Sequence, residues 1–413
     1  MISHRLPWHA PWPASSRLEN ATAVLASESK FDLERRRQAQ GPFLPVSPPL
    51  RSGSTLWLTG LQELIQLDAD SLNVTGRDEQ PRLSNEGAAI LPDGRLIYVE
   101  VHATTLRTAD GQVFHAAGGR ISSRIAFTPD GKPVVGVAPN QIQVVGGPTC
   151  LIPPAAEQTP ECDRVLALAA GEQALVGLTR DGRAVGFGHD GRLLWSVSEK
   201  MTWPRVPPVF SPDQKTVYLA SVEGAVVALN AENGSERWRC KIEGHALTPP
   251  ALDKMGNLHL YTSPSQVVKI SSEGKLERST PSGTTYYVSM GYSPQLELDR
   301  MGNAVVLANP DETLVFSPEG YRLMRLTTAE LFDGMGEYVD SFALSPERDR
   351  VILLSGSRGV TEVELPRTPQ EQKARLRAAI ARRDSQREGP QVAVQEDWVT
   401  VRGARLRRRK LEG

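Results

Sequence analysis

The sequence predicts an all-β protein, a β-propeller of eight four-stranded blades with helical N- and C-terminal extensions, on three observations. A turn-centred unit recurs along the chain, its first turns falling at Asp93, Asp130, Glu172, Asp213, Asp253 and Asp299, spacings of 37, 42, 41, 40 and 46. Each unit carries short apolar runs separated by Gly, Asp, Asn and Pro, the residues that tight turns select because Gly accepts positive φ and Asp or Asn bond their own backbone. A unit of this kind cannot cover both faces of its own small sheet, so it needs a neighbour on either side, which is the logic of a radial repeat.

The first turns read Leu91-Pro-Asp-Gly94, Thr128-Pro-Asp-Gly131, Ala170-Gly-Glu-Gln173, Ser211-Pro-Asp-Gln214, Asp253-Lys-Met-Gly-Asn257, Asp299-Arg-Met-Gly-Asn303 and Ser345-Pro-Glu-Arg348. An earlier unit starts at Pro48-Pro-Leu-Arg-Ser-Gly53 and parallels Pro207-Pro-Val-Phe-Ser-Pro212. A second turn follows within the units at Asp110-Gly111, Asp190-Gly191, Asn233-Gly234, Glu273-Gly274 and Glu319-Gly320. Eight units lie between about Val46 and Leu365, or seven if the faint first unit is not a blade. A β-sandwich would not keep one register over six consecutive units.

The best-formed unit ends Ala228-Leu-Asn-Ala-Glu-Asn-Gly-Ser-Glu-Arg-Trp238, and Asp190-Gly-Arg-Leu-Leu-Trp195 matches its second half. It resembles the tryptophan-docking repeat of pyrroloquinoline-quinone-type propellers, with a looser likeness to WD repeats. The resemblance implies that Trp195 and Trp238, each four residues after the turn glycine, pack between blades. Other units carry Phe114, Leu276 or Leu323 near that place, which marks a divergent repeat. Quinone-dependent dehydrogenases of that family hold their cofactor with a calcium-binding carboxylate set, a catalytic Asp and usually a vicinal disulfide. This chain has no Cys-Cys pair and no matching insert, so no cofactor is expected.

Composition narrows the function classes. With 23% charged and 39% hydrophobic residues and a formal net charge of −1, the whole chain shows no bulk bias towards nucleic acid or membrane. Cys150, Cys162 and Cys240 form no Cys-x-x-Cys pair and stand at no zinc-ligand spacing from a histidine. Neither a leader-like apolar core near Met1 nor a run approaching the ~18 residues of a membrane span is present, and a cytoplasmic protein is expected. No His-Glu-x-x-His, Gly-x-Ser-x-Gly or phosphate-cradling loop occurs, so neither a metal site nor a catalytic residue is assigned. An acidic metal site assembled at the axis from several inner strands, as in propeller lactonases, is the alternative that spacing leaves open.

The chain divides into an N-terminal arm and helix (1–45), the propeller (46–365) and a basic helix with a short β/Arg-rich tail (366–413). Residues 20–40 read as a helix with Asn20 at its N-cap and Gly41-Pro42 as its stop, behind a Pro-rich arm holding Trp8 and Trp12. Thr368 to Arg387 reads as a basic helix, and strands are expected near Val392–Val394 and Trp398–Val401. One of these is expected to complete blade 8, whose own unit shows three strands.

Loop asymmetry points to a partner surface. The A–B and C–D turns on one face are short, whereas the crossings between blades, on the other face, are long. These crossings carry Trp203, Arg205, Tyr286, Tyr287, Tyr292, Phe332 and Tyr338, an aromatic and Arg mixture typical of protein contact surfaces. From Pro366 onward thirteen Lys/Arg stand against six Asp/Glu, a net of +7, leaving −8 for residues 1–365. The run Arg405, Arg407, Arg408, Arg409 and Lys410 suits an acidic protein partner, with nucleic acid the lesser reading because the run is short and has few aromatics. The expectation is therefore a non-enzymatic scaffold or adaptor that binds protein partners within a multi-protein bacterial assembly, the alternative being a metal-dependent lactonase or hydrolase with its site on the axis.

Overall fold

The structure, a computed structural model, describes residues 37–39, 47–79, 82–154, 160–198, 206–221, 224–284, 294–328, 338–355, 359–366, 368–387, 393–401 and 404–412. After a first short strand, β1 (Arg37–Ala39), the strands come in fours. Blade 1 is β2 (Leu50–Ser52), β3 (Thr55–Thr59), β4 (Leu64–Asp68) and β5 (Val74–Asp78). Blade 2 is β6 (Leu83–Ile90), β7 (Leu96–Glu100), β8 (Thr105–Thr108) and β9 (Val113–Ala116). Blade 3 is β10 (Ala126–Phe127), β11 (Pro133–Val137), β12 (Gln141–Val144) and β13 (Thr149–Leu151); blade 4 is β14 (Val165–Ala170), β15 (Leu175–Thr179), β16 (Arg183–Phe187) and β17 (Leu193–Ser198). Blade 5 is β18 (Val209–Phe210), β19 (Thr216–Ala220), β20 (Ala225–Asn230) and β21 (Glu236–Lys241); blade 6 is β22 (Ala251–Leu252), β23 (Leu258–Thr262), β24 (Gln266–Ile270) and β25 (Leu276–Pro281). Blade 7 is β26 (Gln295–Leu298), β27 (Ala304–Asn309), β28 (Glu312–Phe316) and β29 (Arg322–Thr327). Blade 8 supplies β30 (Ser341–Leu344), β31 (Arg350–Ser355) and β32 (Gly359–Glu364) in sequence. Eight blades are present, and the faint first unit is one of them.

The fourth strand of blade 8 corrects the expectation. It is β1, paired antiparallel with β32 through Arg37↔Glu362, Gln38↔Thr361 and Ala39↔Val360. The C-terminal strands β33 (Ala393–Val401) and β34 (Ala404–Glu412) instead pair with each other in a nine-residue hairpin sheet. Residues 37–39, read as the end of a helix, are strand; the rest of that helix and Trp8 and Trp12 lie outside the described residues. A short extended segment from the opposite end of the chain covers the open edge of β32, which removes an exposed pairing template and ties first blade to last.

The core lies between blades. Val176, Leu178 and Ala184 of blade 4 pack with Val217, Leu219 and Val227 of blade 5, and the same arrangement repeats between blades 5 and 6. Ring closure has its own cluster, in which Leu56, Leu58 and Ile65 of blade 1 meet Ile352, Leu354 and Val360 of blade 8. The second strands, such as Thr216–Ala220 and Leu258–Thr262, are buried along their whole length, because both of their faces are covered. Each Leu or Val so placed contributes about 1.5–3 kcal/mol.

Contacts between neighbouring blades reach their first strands, β2 with β6, β10 with β14, β14 with β18, β22 with β26 and β26 with β30. These strands are therefore innermost, with one edge free towards the axis. That free edge explains the Pro-Pro pairs Pro48-Pro49, Pro207-Pro208 and Pro249-Pro250 at matching places: a residue without an N–H costs no ladder bond at an edge. Beyond the ring, α1 (Pro369–Arg387) lies against β29, and the Gln372 side chain donates to Asn303 Oδ1 at 3.0 Å in the first turn of blade 7.

Candidate interaction site

The face formed by the A–B and C–D turns is short-looped and internally bonded. Gly94 N–H donates to Leu91 O at 2.9 Å, and the same three-residue bond closes Thr128–Gly131 (2.8 Å), Ser211–Gln214 (2.9 Å) and Ser345–Arg348 (2.8 Å). Gln214 and Arg348 occupy, at φ 59° and 54°, the left-handed position that glycine fills elsewhere. Each side chain reaches the preceding blade: Gln214 Oε1 accepts the Glu172 N–H at 3.3 Å, and Arg348 Nη1 donates to Leu298 O at 2.6 Å. A backbone strain of about 1–3 kcal/mol is thus partly offset by a bond across the blade seam.

Between blades 3 and 4 this face holds a depression of about 280 Å3, with Pro129, Val144 and Pro148 as apolar walls and Asp130, Glu172 and His189 at its rim. Lys132, 2.8 Å from the carboxylate, and the Thr128 hydroxyl lower the Asp130 carboxyl to about 2. His189 Nε2–H donates to Gly171 O at 2.8 Å. The depression is smaller than the roughly 300–1,000 Å3 of a small-molecule site and reads as an open seam between blades.

The opposite face carries the crossings. Trp203, Arg205, Tyr286, Tyr287, Tyr292 and Phe332 lie outside the described residues. Tyr338 is described and stands 57% exposed at the entry to blade 8, next to Val339, which is buried and donates its N–H to Pro310 O at 2.8 Å. The crossing from blade 3 to blade 4 is pinned by a network invisible to sequence reasoning. Arg183 bonds Asp181 Oδ2 at 2.7 Å and Pro153 O at 2.9 Å, and pairs with the nearly buried Asp163. No local spacing signals it, because Asp163 sits in the crossing, twenty residues before Arg183.

The basic run lies on β34. The register sets Arg405 opposite Thr400, Arg407 opposite Trp398, Arg408 opposite Asp397, Arg409 opposite Glu396 and Lys410 opposite Gln395. Thirteen Lys/Arg against six Asp/Glu keep the segment from Pro366 onward cationic all the same.

Along the innermost strands, the positions just before the first turn carry little charge. Two residues before the first turn, blades 1 to 8 carry Leu, Ala or Val, from Leu50 to Ala343, except for Glu297 in blade 7. Burial raises the Glu297 carboxyl while Arg348, 3.9 Å away, pulls it down. Four residues before the turn, the single charged residue is Arg124 in blade 3. A quinone with calcium needs a carboxylate set, and an axial hydrolytic metal needs several acidic or Asn ligands. Glu297 alone among these positions does not fit either, and no group of three or more His, Cys, Asp or Glu residues arranged to hold a metal occurs among the described residues. Among the described residues no disulfide joins Cys150, Cys162 and Cys240, and burial pushes the Cys150 thiol up to about 11.

Compared with known proteins, residues 180–309 match the family model described as outer membrane protein assembly factor BamB, a PQQ-type repeat. The chain is 33% identical over 106 residues to the serine/threonine-protein kinase AfsK of Streptomyces griseus, a stretch covering 25% of this chain and only 12% of the kinase. Among solved structures, the computationally designed Ika8 protein superposes with a TM-score of 0.62 at 14% identity, covering 79% of this chain and 98% of that one. BamB from Moraxella catarrhalis gives a TM-score of 0.43 at 10% identity over 80% of this chain and all of that one. The ring of eight blades and the repeat in residues 180–309 make this chain a PQQ-like β-propeller repeat protein.

Proposed function

We propose that this PQQ-like β-propeller repeat protein is a non-enzymatic scaffold that holds a protein partner within a bacterial multi-protein assembly. The observation that carries the reading is the contrast between the two faces. Tight, self-bonded turns close one face, while the other carries the long crossings and an exposed Tyr338 on a firmly anchored base. Exposed aromatics on a preorganised surface are the usual anchors of protein recognition. The aromatic and Arg content of the remaining crossings, Trp203, Arg205, Tyr286, Tyr287, Tyr292 and Phe332, supports the same surface. So does the matched family model, whose description is an assembly factor.

The test is capture of partners from the native host, followed by affinity measurement with the purified partner. Tyr338→Ala and the Trp203→Ala, Tyr287→Ala pair should each weaken binding at least about tenfold, the effect of losing one anchor of about 1.4 kcal/mol or more. Unchanged affinity in folded variants removes this face as the site. The basic β34 strand is the second contact, towards an acidic protein. A salt titration against nucleic acid with full-length and tail-less chains should show no tail-dependent binding. A cytoplasmic location is expected, which cell fractionation checks; recovery with the envelope overturns it.

A further inference from the structure

The charge of this chain is divided between two places. From Gln295 to Leu365, which spans blades 7 and 8, thirteen Asp/Glu stand against six Arg, a net of −7. The segment from Pro366 onward carries +7. Three of the six arginines are bound within the blades, Arg325 to Glu312, Arg350 to Glu362 and Arg348 to Glu297. The acidic excess reaches water where blade 7 crosses to blade 8. Val339 N–H donates to Pro310 O and Asp340 N–H to Leu354 O, each at 2.8 Å, and Thr328 N–H donates to Asp311 O at 3.0 Å. These bonds seat Tyr338 and Asp340 beside the turn that carries Asp311, and all three residues are exposed. The same crossing, 329–340, adds Glu330, Asp333 and Glu337 and no base, although those three lie outside the described residues. Among the described residues the cationic end has no seat on its own propeller. Strands β33 and β34 pair with each other, and no blade strand packs along either. A lone two-stranded hairpin is marginally stable in water.

We propose that the crossing from blade 7 to blade 8, around Tyr338, Asp311 and Asp340, is a docking surface for the β33–β34 hairpin of a second copy of this chain. This rests on the reading of the crossing face as the partner surface, and it names the partner. An arginine set over a tyrosine ring and beside carboxylates gains both a cation–π contact and charge-assisted hydrogen bonds. Strand β34 brings Arg405, Arg407, Arg408, Arg409 and Lys410 in one stretch, and the register sets acidic residues opposite only Arg408 and Arg409. The charges of the two partners are opposite and equal in size. Surface and tail are different patches, so the contact is head-to-tail. Each docked pair still presents one open surface and one open tail, and assembly continues into strings or rings instead of stopping at a dimer.

Sedimentation velocity of the full chain across a concentration series tests this. Mass should rise with concentration at about 50 mM salt and return to the monomer at about 500 mM, where exposed charges are screened. A chain lacking residues 393–413, and a full chain carrying Tyr338→Ala with Asp311→Lys, should each lose association at least about tenfold. An equimolar mixture of these two should form a one-to-one complex, because one keeps the surface and the other keeps the tail. Arg407→Glu with Arg409→Glu repeats the tail test without shortening the chain, and Asp311→Lys alone replaces the surface variant if that one melts below the parent. A parent that stays monomeric at low salt, association that survives loss of the tail or of the surface, or a mixture that stays monomeric overturns the proposal. If Tyr338→Ala still weakens capture of a host protein in that case, the crossing face remains a partner surface and only this occupant is wrong.

Discussion

The indole Nε1–H of Trp195, in the outer strand of blade 4, donates to the carbonyl of Ala231 in blade 5 at 2.9 Å, and the ring lies against Gly234. Trp238 repeats this one blade on, donating to Ser272 O at 3.0 Å with its ring against Gly274. A Cβ on either glycine would stand within 2.7 Å of the indole, and both glycines have positive φ, 70° and 85°. The turn glycine therefore does two things, making the tight turn and leaving room for the neighbour's ring.

Trp195 is 6% exposed and Trp238 partly so, which orders the effects of removing them. Trp195→Ala should cost about 3–5 kcal/mol, the range for a large buried side chain, and Trp195→Phe about 1 kcal/mol for the lost hydrogen bond plus some packing. Trp238→Ala should cost clearly less than Trp195→Ala. Urea denaturation midpoints of the three variants check the order.

How much of this was legible in the sequence follows from which signals are local. The Gly-to-Trp spacing is short and periodic, so the seam between blades 4 and 5 and between 5 and 6 shows in the residues alone. The same four-residue offset also finds His115, whose Nε2 lies 3.2 Å from Gln143 Oε1 of blade 3, and Arg278, which bonds Pro318 O of blade 7. Reading the offset as aromatic or Leu only led instead to Phe114 and Leu276, and Leu276 is 43% exposed. The position is constant and its chemistry is not, since a long side chain of any kind can bridge a seam. The β1–β32 closure was illegible for another reason. Three residues carry no periodicity, and their pairing spans the whole chain.

Arg183 is 14% exposed at its side chain and bonds Asp181 and Asp163, themselves 5% and 4% exposed. Arg183→Met leaves two carboxylates buried without their cation. The expected loss is about 3–5 kcal/mol, the range for breaking a buried pair from one side. Replacing all three by apolar residues of similar size should cost much less. Comparing the single and triple variants in chemical denaturation separates an unpaired charge from lost packing.

Ring closure through β1 makes the N-terminal segment a stability element. A chain lacking residues 1–39 exposes the edge of β32, whereas one lacking only residues 1–36 keeps the three paired residues. The longer deletion should melt about 1–2 °C lower, what a loss of about 1–2 kcal/mol gives a chain of this size, and should associate with increasing concentration through the free edge. The shorter deletion should do neither. Calorimetry and light scattering on the two truncations decide it.

His259 gives the fold a defined pH dependence. It is 4% exposed at the start of β23; burial holds its imidazole below the ordinary 6.5, while Asp253, whose Oδ2 is 3.4 Å from Nε2, pulls the other way. Above that value the ring is neutral whether the chain is folded or not. As pH falls below it the unfolded chain takes up a proton that the folded ring does not, so the unfolded state gains and stability drops until the folded ring titrates too. Burial raises the carboxyls of Glu297 and Asp299 instead; those groups bind protons earlier when folded, so their contribution grows as pH falls through the carboxylate range. The histidine is isolated by comparing the parent with His259→Gln in urea at about pH 7.5 and about pH 5.5, on either side of an ordinary imidazole pKa. The parent should lose more stability across that interval than the variant. Equal losses in the two chains would mean that the folded ring protonates as readily as the unfolded one, and that the covering strands do not hold it neutral.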